Sequence, residues 1–304
     1  WYTIGIGSMA VDRIRRVPRI LGREEKGMVK PLPSGALEEH RVGGVVLNHL
    51  GWAATLGLPV GIFGKQADDA GGRFLRAAMD DLGIQWRIEL DGSASTFADI
   101  DVDEEGERAI YMAPGAPSET TPSFIREHFT DYIAGASRVT TEVSQLPLDA
   151  VLCVLELARD AGVPTLLDLD VPPSDAIAEL GDQATLEQVL RTADVIKPAK
   201  SATAELVPEA AGDALRVAEA MRERYGAQAV IVTDGADGCA IAAEGESLRV
   251  PAKTPKEIVD TTGAGDAFLG GLLVALHHGV GWEQAAELAH ACGAACVEKV
   301  GAFP

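Results

Sequence analysis

From about residue 120 onward the chain alternates strand-length apolar runs with helix-length segments, and this alternation limits the available folds more than any other feature. The apolar runs are Arg138–Thr141, Thr165–Leu169, Val195–Lys197 and Ala229–Thr233, and helical segments Leu148–Asp160, Leu186–Thr192 and Ala214–Tyr225 lie among them. Short runs this continuously apolar predict strands buried on both faces, as in a parallel sheet covered by helices on either side. Two Ala- and Leu-rich helices, about Ala264–His278 and Trp282–Glu298, close the chain. Upstream, Thr3–Ile6 and Val60–Phe63 read as strands, and Val45–Leu56 and Gly72–Leu82 as helices. Two stretches break the pattern. Arg13 to Arg41 is charged, contains Pro18, Pro31 and Pro33, and has no helical period. Thr96–Val102 alternates apolar and polar residues and leads, through a turn at 103–106, to Arg108–Tyr111, which predicts a hairpin. The expectation is one α/β domain over residues 1–304, with a small β excursion built from insertions at roughly 13–41 and 95–112.

A chain of 304 residues, 47% of them hydrophobic, can build a core without disulfides or structural metal. Its 26 basic and 46 acidic residues leave a net charge of −20. That charge repels nucleic-acid phosphates and anionic lipid, so neither is expected as a partner. No apolar run is long enough for a membrane-spanning helix. Cys153, Cys239, Cys292 and Cys296 lack metal-binding spacing and read as buried thiols of a cytoplasmic protein. With Trp1 in first place, further residues are expected to precede it.

Chemistry is most concentrated in Asp260-Thr261-Thr262-Gly263-Ala264-Gly265-Asp266-Ala267-Phe268, a glycine-rich turn opening an apolar helix. Free N–H groups and the positive dipole end of such a helix attract anions, and glycines let the backbone close on a phosphoryl group. Asp266 falls in the first helical turn. A carboxylate there can take a proton from an attacking hydroxyl while the amides hold the transferring charge. On spacing alone, Asp266 reads equally well as the cap of an ordinary turn.

Residue for residue, the stretch resembles the second signature of the PfkB (ribokinase-like) carbohydrate kinase family, and the resemblance extends over nearly the whole chain. Gly7-Ser8-Met9-Ala10-Val11-Asp12 is similar to the family's strand ending in a substrate-binding Asp, and Val42 to Asn48 to its GG-x-x-x-N element. Gly64 to Gly72 resembles a G-x-D-x-x-G stretch, with Ala67 where Gly is usual. Thr233-Asp234-Gly235 sits where a T-x-G strand end lines the nucleotide site, and Gly301-Ala302 matches a terminal GA element. The resemblance implies a ribokinase-like three-layer α/β/α domain with a mostly parallel central sheet, the two β excursions forming a small β-sheet lid. It implies a kinase that moves the γ-phosphoryl group of MgATP to a hydroxyl of a small sugar or sugar derivative.

Under that resemblance Asp266 is the general base, and the amides of Gly263, Ala264 and Gly265 form an anion hole. Asp12, Gly43, Gly44, Asn48 and Glu142 hold sugar hydroxyls. Thr233, Gly235, Gly238 and His290 line the nucleotide site, although a buried structural imidazole accounts for His290 at least as well. Asp260 and the Thr262 carbonyl correspond to ligands of a monovalent cation such as K⁺, with carbonyls near Cys296, Lys299 and Gly301 completing the cage. The apolar side and open edge of the lid lead us to expect a homodimer formed through it.

Two departures from the family pattern stand out. The N-x-x-E element that handles metal is absent: Ala199-Lys200-Ser201-Ala202 follows Lys197-Pro198, and Glu205 lies a turn later. Mg²⁺ is therefore expected to arrive with ATP. Asp168-Leu169-Asp170-Val171-Pro172 stands where many sugar kinases carry D-x-N-x-R, which removes an arginine and adds a carboxylate. Two other readings compete. One is a nucleoside kinase of the same fold, with Trp52, Phe97 and Tyr111 as candidate base contacts; the other is a nucleotide- or sugar-binding protein that has lost catalysis. The acidic run Asp99–Glu107 lacks calcium-loop spacing and reads as a solvated edge. Arg13, Arg15, Arg16 and Lys65 read as contacts for an anionic substrate group or as solubilising charge.

Overall fold

A computed structural model describes residues 2–105 and 107–304. The N-terminal part contains β1 (Thr3–Ile6), β2 (Ala10–Arg16), β3 (Glu39–Gly43), α1 (Val45–Thr55), β4 (Val60–Lys65), α2 (Ala70–Asp81) and β5 (Gln85–Glu89). β6 (Thr96–Val102), β7 (Arg108–Ala113), α3 (Pro122–Ala134), β8 (Arg138–Val143), α4 (Leu148–Asp160), β9 (Thr165–Leu169), α5 (Pro173–Glu179) and α6 (Gln183–Thr192) follow. The remainder is β10 (Val195–Pro198), α7 (Lys200–Leu206), α8 (Ala214–Tyr225), β11 (Ala229–Thr233), β12 (Cys239–Ala243), β13 (Glu246–Val250), α9 (Ala264–His277) and α10 (Trp282–Val297).

Nine strands form the central sheet in the order β13-β12-β11-β10-β9-β8-β1-β4-β5. Every pairing is parallel except β11–β12 and β12–β13. The strands are apolar on both faces because both faces are covered. In β11, Ala229 and Ile231 pack into the layer that holds α1, α2, α9 and α10, while Val230 and Val232 pack into the layer of α3, α4, α6 and α8. The chain runs from β1 outward to β4 and β5, then returns to place β8 on the other side of β1. Open α/β sheets bind ligands beyond the carboxyl ends of their strands at such a reversal. Glu142, Asp168 and Lys197 lie at those ends of β8, β9 and β10, and Ser8 lies just past β1.

A second sheet has the order β3-β2-β6-β7, with β2 parallel to β6 and the β6–β7 hairpin antiparallel. It starts at Ala10, three residues before the expected insertion, so Asp12 belongs to it. Residue 106 of the expected hairpin turn lies outside the described residues. Register sets Arg13 opposite Asp99 and Arg15 opposite Asp101, and both pairs close, at 2.7 and 2.8 Å. The basic and acidic runs thus neutralise each other. Along the edge strand β7, Ile110, Tyr111 and Met112 are exposed. All four cysteines are buried free thiols. Among the described residues no helix is long and apolar enough to cross a membrane.

Candidate active site

The Asp260–Gly265 turn delivers the start of α9 to the space between the two sheets. Gly263 has φ 75°, and a Cβ there would stand 2.2 Å from that of Ala302, so the turn accepts only glycine. No side chain caps the helix. The Ala264 amide closes the turn on the Thr261 carbonyl at 3.4 Å, and those of Gly263 and Gly265 have no protein acceptor among the described residues. Free donors at a helix start make an anion site. Asp260 braces the turn by accepting the Thr262 N–H (2.9 Å), the Thr262 hydroxyl (2.6 Å) and the Gly301 N–H (3.0 Å). Arg108 of β7 approaches the same carboxylate at 3.4 Å and donates to the Thr262 hydroxyl. Cys296 donates its thiol to the Thr262 carbonyl at 3.4 Å. Protein donors therefore already engage the oxygens that the resemblance assigns to a monovalent cation.

The residues expected at the acceptor converge from four other segments. Asp12 of β2 packs against Gly43, where a Cβ would come within 2.4 Å of its carboxylate. Gly44, at φ 104°, passes so close to Ser8 that a Cβ would lie 2.4 Å from the Ser8 carbonyl oxygen. Asn48, buried in α1, donates from Nδ2 to Asp266 Oδ2 at 2.7 Å and keeps an unpartnered Oδ1. Glu142 accepts from the Ser8 N–H at 2.7 Å and the Ser8 hydroxyl at 2.9 Å.

Behind Asp266 lies a buried charge network. Lys197 pairs with Asp168 at 3.0 and 3.2 Å. Its Nζ would lie 3.2 Å from a Cβ on Gly265, which puts the ammonium beside the anion turn. His49 Nε2 is 3.4 Å from Asp168 Oδ2 and 3.9 Å from Asp266 Oδ1. Burial, then the charge of Asp168, pushes Asp266 up to about 7 against the hydrogen bond from Asn48. Burial, reinforced by Asp168 and Asp266, takes Asp170 up to about 7, and burial takes Asp12 up to about 6. Glu142 rises to about 8, because burial outweighs its hydrogen bonds from Ser8. Burial works against ionisation of Asp168 too, yet Lys197 and His49 more than offset it and hold that carboxyl below its usual range. A carboxyl poised near neutrality suits a general base.

On the other side of α9 lies a cleft of about 380 Å³ whose lining includes Thr233, Gly235, Gly238, Gly265, Phe268 and His290. All four residues expected at a nucleotide site share it. Gly238, at φ 102°, is tight enough that a Cβ would meet the Val250 carbonyl oxygen at 2.1 Å. His290 meets the edge of Phe268 at 5.0 Å and has an unpartnered Nε2. Burial lowers its proton affinity.

Other expectations change with tertiary packing. Glu205 is committed to Ser174 in the first turn of α5, accepting its N–H at 2.8 Å and its hydroxyl at 2.7 Å, so it does not replace the missing metal carboxylate. Ala202 is wholly buried in the core. Trp52 is buried with its indole N–H on the Ala302 carbonyl at 2.8 Å, Phe97 lies under the Arg13 guanidinium at 3.6 Å, and Tyr111 is 69% exposed. These three do not frame a base-binding wall. Ser8, Asp168 and Lys197 lie in stretches already compared with family motifs but carry no expected role of their own, and His49 is not singled out by the sequence. The signals for two of them were Asn48-His49 inside an otherwise apolar helix and a lysine near the end of an apolar strand.

Comparison with known proteins agrees with this geometry. The description "pfkB family carbohydrate kinase" matches residues 4–304. An aminoimidazole riboside kinase of Salmonella typhimurium is 30% identical over 280 residues, covering 86% of this chain and 83% of that protein. Arabidopsis thaliana ribokinase, in a structure complexed with ribose and ATP, is similar with a TM-score of 0.84 at 22% identity, over 100% of this chain and 94% of that one. Burkholderia thailandensis nucleoside kinase in complex with inosine gives 0.74 at 25% identity, over 99% and 93%. The fold is ribokinase-like, a mostly parallel sheet between helical layers with a smaller second sheet, and the chain belongs to the pfkB family of carbohydrate kinases.

Proposed function

We propose that the protein is an ATP-dependent kinase that phosphorylates a hydroxyl of a small sugar or sugar derivative, with Asp266 as its general base. One observation carries the reading: Asp266, poised near neutrality, stands in the first turn of α9 beside free amides and against Asn48. Asp12 and the unpartnered Asn48 Oδ1 are acceptors for substrate hydroxyls, and Gly43 and Gly44 keep the wall between them low. Asp266 takes the proton as the hydroxyl oxygen bonds to the γ-phosphorus and the bond to the bridging oxygen of the departing ADP breaks. The Gly263 and Gly265 amides, with the Lys197 ammonium beside them, hold the charge that develops on the phosphoryl oxygens. Thr233, Gly235, Gly238 and His290 would hold the nucleotide, and the unpartnered His290 Nε2 against Phe268 suits a heteroaromatic base. Bound to ATP, Mg²⁺ would supply neutralisation of the phosphate charge there. No step is routed through K⁺, since Arg108 and backbone amides engage the Asp260 carboxylate and the Cys296 thiol engages the Thr262 carbonyl.

A sugar acceptor is favoured over a nucleoside because Trp52, Phe97 and Tyr111 supply no shared base wall. We assign the second sheet as the lid over the acceptor, its exposed β7 edge being the surface for a second copy. The test is ADP release from ATP over a panel of sugars and nucleosides. A sugar should turn over fastest, and loss of that turnover in Asp266→Asn should follow. No release with any acceptor from folded protein would overturn the reading in favour of a binding protein.

A further inference from the structure

We propose that His49 is a positioning residue for Asp266: the Nε2–H of its buried imidazole, set between the carboxylates of Asp168 and Asp266, orients Asp266 and favours its anion. The inference rests on the kinase reading and concerns how this chain prepares its base.

Two consecutive residues of α1 address the two oxygens of Asp266. Asn48 donates to Oδ2 at 2.7 Å, and His49 faces Oδ1 at 3.9 Å. The imidazole is fully buried, with Nδ1 3.4 Å from the Thr140 hydroxyl on β8. Nε2 has no hydrogen-bond partner of good geometry and has carboxylate oxygens on two sides. A lone pair there would confront the ionised Asp168 at 3.4 Å, and a second anion whenever Asp266 gives up its proton, so Nε2 carries the hydrogen. An unsatisfied buried donor costs about 1–3 kcal/mol, and the rest of this helix is nearly all apolar. A donor kept at that cost has a use, and catalytic contacts of this kind shorten when substrate closes the site. A metal ion is not the better occupant, because the Lys197 ammonium already holds Asp168 at 3.0 Å.

The charges around the imidazole are Asp168 of β9, Asp266 of α9, Lys197 of β10 and Asp170 just beyond β9. Asp12 acts on Asp266, and Glu142 exchanges repulsion with Asp168 and Asp170, so both belong to the same cluster. Within it, Asp168 is the neighbour that most opposes ionisation of Asp266, and His49 joins Lys197 in offsetting that charge. Removing the imidazole takes away the N–H that faces Oδ1 at 3.9 Å and unmasks Asp168.

The first measurement is the pH dependence of kcat. In His49→Leu the acid limb should move upward by roughly one pH unit, a loss of about tenfold on its acid side, with KM for ATP unchanged. His49→Gln, which retains an N–H of similar reach, should bring the limb back toward the parent. A merely structural imidazole would lower the melting temperature and leave the limb in place, and that outcome in an active Leu variant overturns the proposal. The second measurement titrates the whole protein with ¹⁵N-labelled histidine, the His49 signal being assigned by its absence in His49→Gln. Its shift should follow the ionisation of Asp266, so the inflection should shrink in Asp266→Asn to the part that Asp170 contributes; an inflection of full parental size there overturns the proposal even if the Leu variant does not fold. Because this titration needs no turnover, a protein that phosphorylates nothing would sink the kinase reading and leave the His49 result standing on its own.

Discussion

Replacing Glu142 by Gln should stabilise the protein increasingly as the pH rises from acid to mildly alkaline. Glu142 is wholly buried, and burial pushes its carboxyl up to about 8 from an ordinary value of 4.5. The folded-state value is the higher one, so the stability linked to this proton is fully present below the unfolded value and is lost as pH climbs toward 8. Between those limits the native protein holds a proton that the unfolded chain has released. Stability therefore falls by about 1.4 kcal/mol per pH unit. From pH 6 to 8 the loss is about 2–3 kcal/mol, or roughly 5 °C in Tm for a chain of this size. Gln matches Glu in shape: its carbonyl accepts the Ser8 N–H, and its amide can donate to the Ser8 hydroxyl oxygen. Asp12, Asp170 and Asp266 also titrate near this range, so the parent's curve alone does not isolate Glu142. The difference between variant and parent does. Urea unfolding of both proteins at several pH values between 5 and 8.5 measures it, and a constant offset at every pH would refute the reasoning.

Asp266→Asn should cut kcat by about 10²–10⁴-fold and leave ATP affinity intact, while the parent should lose activity below about pH 7 as Asp266 gains its proton; near-parental turnover in the variant would remove Asp266 as base. Gly263→Ala should lose at least about 1 kcal/mol from its left-handed backbone, plus more from the clash with Ala302, and an unchanged denaturation midpoint would contradict this. Ala202→Glu, which restores the family's missing carboxylate, buries a charge in the core and should destabilise the fold by several kcal/mol without easing the Mg²⁺ requirement. A Mg²⁺ titration showing a lower requirement in a folded variant would refute that. The exposed Ile110, Tyr111 and Met112 on the β7 edge should bring two copies together, and sedimentation as a monomer at tens of micromolar would count against it.

Local pattern alone determined much of this protein. Leu148–Asp160, Thr165–Leu169, Ala214–Tyr225 and Ala229–Thr233 were legible to the residue, since burial on one or both faces writes a helical or continuous apolar pattern into neighbouring positions. The Asp260–Phe268 stretch was legible for a similar reason: a turn with glycine at positive φ opening an apolar helix depends on adjacent residues. Gln85–Glu89 and Glu246–Val250 left no such trace, because these outer strands of the sheet are largely exposed and need no apolar period. What only the tertiary structure decided is charge. Residues 49, 168, 197 and 266 come from four elements, and no spacing records that they meet within hydrogen-bonding and ion-pairing reach. The basic run at Arg13 reads as a contact for an anionic group or as solubilising charge, and register instead sets it against Asp99 and Asp101. Whether a carboxyl is a solvated charge, a buried proton carrier like Glu142 or a base poised near neutrality like Asp266 depends on the water excluded and the charges nearby, and folding alone sets both.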